Sequence, residues 1–308
     1  MNAILKRMKN NWKAGMTVSL VSIPLSISLA VASHSTPLAG IITAIWAGLV
    51  ASIFGGSEFN IIGPTGALSG VIATYAIMHG MDGLAMLAII TGVMILIAYA
   101  LRLERYLIFI PSSVIHGFTL GVAFIIGLSQ LNYALGLKNL PQHEKFFSNI
   151  IESLRHVQDS SVPALAIFLI FLVFLFLFRR FVPRIPGAIV LAPIGILLGY
   201  LTESNVVAMN LETLGMKFGD ISFKLFEMPR FTFSLPLVVT SSTVAVIAIL
   251  ETMLSAKIAD SMTHTKHNER KEMLGLGLGN IASGLAGGIP ATAALARTSL
   301  NIKNGADD

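Results

Sequence analysis

Hydrophobic positions in this chain cluster into long apolar runs, without the regular polar loops and amphipathic helices of a soluble α/β enzyme. The runs predict membrane spans over about 15–33, 37–54, 83–101, 107–131, 163–182, 186–201, 236–257 and 272–285. Polar stretches at 132–162 and 202–235 are predicted to lie outside the bilayer. Two further apolar segments, 58–79 and 287–303, are broken. The first contains Gly63-Pro-Thr-Gly-Ala-Leu-Ser69 and the second Ile289-Pro-Ala-Thr-Ala-Ala-Leu-Ala296. Each puts a proline and a run of small residues where a span would normally be continuous.

Proline is tolerated in the first turn of a helix. Each broken segment is therefore expected to be a short extended strand leading into a half-helix that starts near Pro64 or Pro290. Non-helical backbone at membrane depth survives only where protein or a water-filled cavity surrounds it. Broken spans in both halves of a polytopic protein point to a substrate site near the midplane. Two helix N-termini aimed at one place carry partial positive charge and favour an anion. The rival explanation for both segments is close helix packing by small residues.

Composition supports an all-α integral membrane protein. Of the 308 residues, 54% are hydrophobic and 12% charged, half the charge density of about 25% usual in soluble domains. With no cysteine, disulfides and thiolate metal sites are excluded. The basic start (Lys6, Arg7, Lys9, Lys13) resembles a signal-peptide n-region, but the apolar run behind it is too long and lacks a cleavage site. It is expected to be an uncleaved first span. Placing the N-terminus inside puts 15 of the 21 lysines and arginines on the cytoplasmic side and 6 outside, all six in the two long loops. The positive-inside rule therefore predicts a multi-pass inner-membrane protein with a cytoplasmic N-terminus. The same bias explains the net charge of +5 without nucleic acid.

One carboxylate, Glu251, is expected deep in a span. Ionisable side chains there are functional candidates by default. Glu251 is open to three roles: binding Na⁺, carrying a proton, or pairing with a basic residue for structure alone. Ser255, four residues on, shares its helix face and offers another oxygen. Arg297 is the natural partner of Glu251 or of a bound anion, unless it snorkels to headgroups. Pro24, flanked by Ser22, Ser26 and Ser28, reads either as a kink or as a pocket wall. His264 and His267 read as solvated in an inner loop. No Walker motif, nucleophile elbow or paired carboxylates are present, so no enzyme activity and no bound cofactor are expected.

These residues resemble the SulP family, the sulfate permease or solute carrier family 26 group of anion transporters, along essentially the whole chain. The resemblance rests on Ala14–Ala32, on Gly63-Pro-Thr-Gly-Ala67, and on Ile110-Pro with Gly117-Phe-Thr-Leu-Gly-Val-Ala123. It rests further on Glu251-Thr-Met-Leu-Ser-Ala256, on Asn280–Thr292, and on Ala296-Arg-Thr298. It implies a seven-plus-seven inverted-repeat transporter fold. Residues 1–14 would be a cytoplasmic N-terminus, 15–303 the transporter domain and 304–308 a tail. Within the domain, the first repeat covers about 15–201 and a partial second repeat about 236–303.

The resemblance also implies a small inorganic or carboxylate anion (sulfate, bicarbonate or a dicarboxylate) moved by alternating access, with lipid around it and a homodimer as an open arrangement. Thr65, Gly66, Ala67, Thr292, Ala293, Ala294 and Arg297 would face the anion, and Pro24 on the first span would close the pocket. Glu251 and Ser255 fall where the bicarbonate branch holds Na⁺. Glutamate replaces that branch's aspartate, which keeps H⁺ open as the coupling ion. Relative to the family, the sequence stops after the tenth segment, with no STAS domain. The expectation from this is a truncated transporter, or a split-gene fragment that needs a partner chain and does not transport alone.

Overall fold

A computed structural model describes residues 2–109, 112–138, 140, 141, 143, 146–182, 187–204, 206, 213–219, 226, 229 and 233–307. Met1, Ile110, Pro111, Arg184 and Asp308, and the side chains of Lys6, Arg7 and His116, lie outside the described set.

The elements are α1 (Asn2–Ala32), α2 (Pro37–Phe54), β1 (Ile62–Gly63), α3 (Gly66–His79), α4 (Leu84–Ala100), α5 (Ser112–Ser129), α6 (Leu131–Ala134) and α7 (Phe146–Arg155). They continue with α8 (Val162–Phe181), α9 (Gly187–Glu203), α10 (Leu214–Phe218), α11 (Leu235–Thr263), α12 (Glu269–Leu285), β2 (Thr292–Ala293) and α13 (Leu295–Lys303). Among the described residues, five helical stretches are long and apolar enough to cross a membrane: Lys9–Ala32, Pro37–Phe54, Met81–Ala100, Val162–Phe181 and Leu235–Thr263.

Local chemistry accounts for several of the helix starts. Thr36 caps α2 by accepting from Ala39 N–H at 3.2 Å, and Pro37 follows in the first turn, where a missing N–H costs nothing. Ser234 caps α11 and Asn268 caps α12 in the same way. Pro24 does not interrupt α1, which runs helical through it. Ser28 Oγ donates back to the Pro24 carbonyl at 2.9 Å, the i−4 side-chain bond common for serine in helices.

The chain divides into two compact units, residues 1–126 with 223–308, and residues 127–222. In the second unit, α8 packs against α9 and α6, and Ser161 N–H donates to Leu135 O at 2.9 Å. The first unit carries the site. Its centre is α12, which packs along α4 and α2. At 17 residues and with a charged first turn, α12 falls short of a lone span, unlike the sequence expectation for 272–285. It is buried along its length by its neighbours and tolerates polar groups because protein, not lipid, surrounds it.

Small residues make that packing possible. A Cβ at Gly284 would sit 2.4 Å from the Ala85 carbonyl oxygen, and one at Gly92 would sit 2.6 Å from that of Gly277. Beside this seam lies an apolar cluster that includes Leu68, Ile72, Leu87, Val244 and Ile289. In the α11–α12 turn His264 is exposed, as expected, whereas His267 is not. The His267 side chain is 5% exposed, and its Nδ1 lies 2.7 Å from Asp260 Oδ2.

The α4–α12 contact predicts an asymmetry among glycines. Gly284→Ala should cost about 1–3 kcal/mol through overpacking against backbone, read as a lower melting temperature in detergent. Gly195→Ala, with nothing within 4 Å of the added carbon, should leave it unchanged. Equal losses would show that the seam is not tight.

Candidate functional site

β1 and β2 pair antiparallel, Ile62 opposite Ala293 and Gly63 opposite Thr292. Each strand leads within three residues into a helix, so the N-termini of α3 and α13 both lie close to the pair. At 1.5 Å per residue, the 14 residues of α3 and 9 of α13 reach about 21 and about 14 Å. Neither crosses a hydrocarbon core of about 30 Å. The residues before them, Thr65 and Ala294, make no side-chain cap, in contrast to α2, α11 and α12. First-turn N–H groups of both helices are thus left without a side-chain acceptor at the strand pair.

Two long helices frame this pair. Thr252 of α11 lies 2.8 Å from Thr292 Oγ1 and accepts from Ala293 N–H at 3.1 Å. Thr292 Oγ1 also donates to Ala248 O at 3.0 Å. On the α12 side, Asn280 acts as a surrogate strand. Its Oδ1 accepts from Ala291 N–H at 2.8 Å and its Nδ2 donates to Ala291 O at 3.0 Å. Ser283 and Thr43 hold Ile289 in the same way, through its carbonyl and its N–H.

The charged groups meet at the strand pair. Arg297 is 1% exposed, which removes it from any headgroup. Its Nη2 donates to Pro64 O at 2.7 Å, while Nε has no partner. Gly63 leaves the guanidinium room, since a Cβ there would lie 2.6 Å from Arg297 Nη1 and displace it. Glu251 accepts from Thr65 Oγ1 at 2.9 Å and lies within electrostatic reach of Arg297. No direct Glu251–Arg297 ion pair is among the contacts of the described residues. A buried guanidinium in direct contact with only a carbonyl carries a desolvation cost of several kcal/mol, which a bound anion would offset.

The sequence-predicted residues divide by what they touch. Thr65, Gly66 and Ala67 open α3 as expected. In the second broken segment the helix begins at Leu295, five residues past Pro290, and the strand falls between them. Ala293 N–H is taken by Thr252, and Ala294 N–H donates to Ile61 O at 3.1 Å. The first-turn donors of that half are therefore those of Leu295 to Arg297, and those of Ala293 and Ala294 are already taken. The physical reason is Asn280, whose amide holds Ala291 extended. Ser255 shares a face with Glu251, but its hydroxyl donates to Asn60 Oδ1 at 2.8 Å. Near Pro24 the Ser22 and Ser26 hydroxyls are buried without a partner, and α1 packs on both α3 and α13.

A second carboxylate is enclosed by protein without lying deep in an expected span. Glu272 in the first turn of α12 is 1% exposed. It escaped sequence reasoning because it follows the charged run Glu269-Arg270-Lys271. Asn60, Thr252, Asn280 and Thr298 escaped too, since single polar residues in apolar runs carry no periodic signal.

A sequence profile of the sulfate permease family matches residues 8–308. The putative sulfate transporter YvdB of Bacillus subtilis is 36% identical over 311 residues, covering 98% of this chain and 57% of that protein. The bicarbonate transporter BicA of Picosynechococcus is 29% identical over 316 residues, covering 94% of this chain and 53% of that one. The chain thus spans about half the length of the curated relatives it matches. Among solved structures, the transmembrane domain of a cyanobacterial BicA superposes with a TM-score of 0.78 at 23% identity, covering 97% of this chain and 78% of that one. The overall structure of SLC26A9 gives 0.82 at 14% identity, covering 97% and 51%. These likenesses establish the fold.

The Asn280 contacts generate a prediction. Asn280→Leu leaves the buried Ala291 N–H and C=O unpaired, at about 1–3 kcal/mol for each group. Hydrogen exchange at Ala291–Ala293 should accelerate and the melting temperature fall. Unchanged exchange would show that the strand pair does not depend on Asn280.

Proposed function

The chain belongs to the sulfate permease family, whose members are transporters and not enzymes, and we propose that it carries a small inorganic or carboxylate anion across the membrane by alternating access. The observation that carries this reading is Arg297, a buried cation with an unpartnered N–H, set beside two helix N-termini. Sulfate, bicarbonate and dicarboxylates all suit such a site. Their oxygens accept from N–H donors, and their charge offsets the guanidinium.

In this reading the first-turn N–H groups of Gly66–Leu68 and Leu295–Arg297 bind the anion, with Arg297 as its counter-charge. Ser22 and Ser26 close the pocket from α1. Glu251 couples transport to H⁺ or Na⁺, and Thr65 joins the two roles because its hydroxyl already donates to Glu251. An inverted repeat is supported by the matching order of long helix, second helix, strand and half-helix in α1–α3 and α11–α13. The antiparallel strand pair supports it as well, because a two-fold axis in the membrane plane relates opposed strands. The distribution of basic residues supports a multi-pass cell-membrane protein with its N-terminus in the cytoplasm.

Uptake of radiolabelled sulfate, bicarbonate and succinate into proteoliposomes tests this reading. One of the three should enter saturably, faster under an inward H⁺ or Na⁺ gradient. Arg297→Gln should raise the half-saturating anion concentration about tenfold, equivalent to about 1.4 kcal/mol. Glu251→Gln should remove the gradient's acceleration and leave anion-for-anion exchange running. Gradient-driven uptake unchanged in Glu251→Gln would sink the coupling role.

A further inference from the structure

Glu272 is a carboxylate buried at 1% exposure, with no cation bonded to it among the described residues. Three neutral donors surround it. Gly56 N–H and Ser57 N–H both reach Oε2 at 2.8 Å, and Asn60 Nδ2 reaches Oε1 at 2.6 Å. Burying a charge in this way is costly unless every lone pair it presents is used. A carboxylate retained at such cost, in a helix that otherwise packs through glycines, calls for a role beyond packing.

That role follows from the direction of the hydrogen bonds. An ionised carboxylate only accepts, so Glu272 fixes which way the Asn60 amide faces. Nδ2 must point to Glu272, and Oδ1 is left to face α11 and α13. Oδ1 takes the proton of Ser255 Oγ at 2.8 Å. Ser255 has one proton, so in the 3.1 Å contact between Ser255 and Thr298 Thr298 is left as the donor. Thr298 in turn accepts from Ile61 N–H at 3.2 Å. The Thr298–Asn60 contact of 3.5 Å is too long to compete. The chain of bonds therefore runs one way, from Ile61 through Thr298, Ser255 and Asn60, and ends on Glu272.

The members of this chain adjoin the strand pair and the residues that frame the anion site. Ile61 precedes β1 and accepts from Ala294 N–H. Thr298 follows Arg297 in the sequence. Ser255 lies one helical turn from Glu251, and Asn60 Nδ2 also reaches Thr252 O at 3.3 Å.

We propose that Glu272 and Asn60 are a positioning pair, a buried acid and an amide whose enforced orientation holds β1, α11 and α13 at the spacing the anion site needs. The pair touches neither anion nor coupling ion. This inference rests on the anion-site reading above.

Exchanging the acid and the amide tests it. In Glu272→Gln, Oε1 can serve the two backbone N–H groups, but Nε2 then meets Asn60 Nδ2, donor against donor. In Asn60→Asp, two carboxylates face each other. The double variant Asn60→Asp with Glu272→Gln restores the bonds between the two residues and to Ser255, and loses only the 3.3 Å bond to Thr252 O: Nε2 donates to one oxygen of the new aspartate, whose other oxygen accepts from Ser255. The charge is also unchanged. The four purified proteins are melted in detergent at constant ionic strength, with and without sodium sulfate, sodium bicarbonate or sodium succinate.

Wild type should be stabilised by one of these anions. Each single variant should need at least fivefold more of it, and the exchange variant should return to within about twofold of wild type. An exchange variant no better than the sum of the singles overturns the inference. So do single variants that melt earlier but keep wild-type anion affinity, since the pair would then serve stability alone. If wild type responds to none of the three anions, the anion-site reading itself fails and the positioning role falls with it. The anion-free melting temperatures of the four proteins then still report whether the two residues are coupled.

Discussion

Everything at this site depends on the pairing of Ile62-Gly63 with Thr292-Ala293. Two residues on each side are far too few to hold a sheet in water, where even a full hairpin is marginal. Here the pair is sealed in protein. Thr252 bonds it from α11, Asn280 holds its approach from α12, and Arg297 closes on Gly63 and Pro64. Extended backbone survives here because side chains of α11 and α12 take its N–H and C=O groups, and the same enclosure positions the starts of α3 and α13. Remove the pairing and the two helix N-termini have no reason to share a location.

The charge arrangement follows from that constraint. A helix N-terminus contributes about half an elementary charge, and two of them beside a guanidinium make the surroundings of the strand pair strongly electropositive. Glu251 offsets part of this from within electrostatic reach of Arg297 and accepts from the Thr65 hydroxyl. The result is a site with a cation not directly ion-paired and an acid held by a single hydroxyl. This suits a ligand that arrives as an anion and a coupling ion that arrives as a cation. The second buried acid, Glu272, is fully satisfied and lies outside that exchange.

Much of the architecture was legible in the amino-acid order. The α2 helix spans the same residues as its apolar run, because Thr36-Pro37 marks its start and Gly55 follows its end. Both broken segments were visible, since proline among tiny residues has no bland place in an apolar run. The register of the second break was not visible. It depends on Asn280 acting as a backbone mimic, a contact across 11 residues that no local propensity encodes. The donors of Ala293 and Ala294 looked available for the same reason, and long-range partners consume them. Glu272 was hidden by its position in a charged first turn, where a carboxylate normally faces water. Asn268 caps that turn as an ordinary surface helix would be capped, and only the packing of α2 against α12 reveals the burial. His267 was misread likewise, because Asp260 folds back on it from the preceding helix.

The central claim is that one anion sits between the starts of α3 and α13 against Arg297. Selenate, a sulfate analogue with an anomalous scatterer, locates it directly. Crystals grown with selenate and measured at the selenium edge should show one peak within hydrogen-bonding distance of the Arg297 guanidinium and of N–H groups in Gly66–Leu68 or Leu295–Arg297. A peak away from these residues, or none in a protein that binds selenate in solution, would contradict the account.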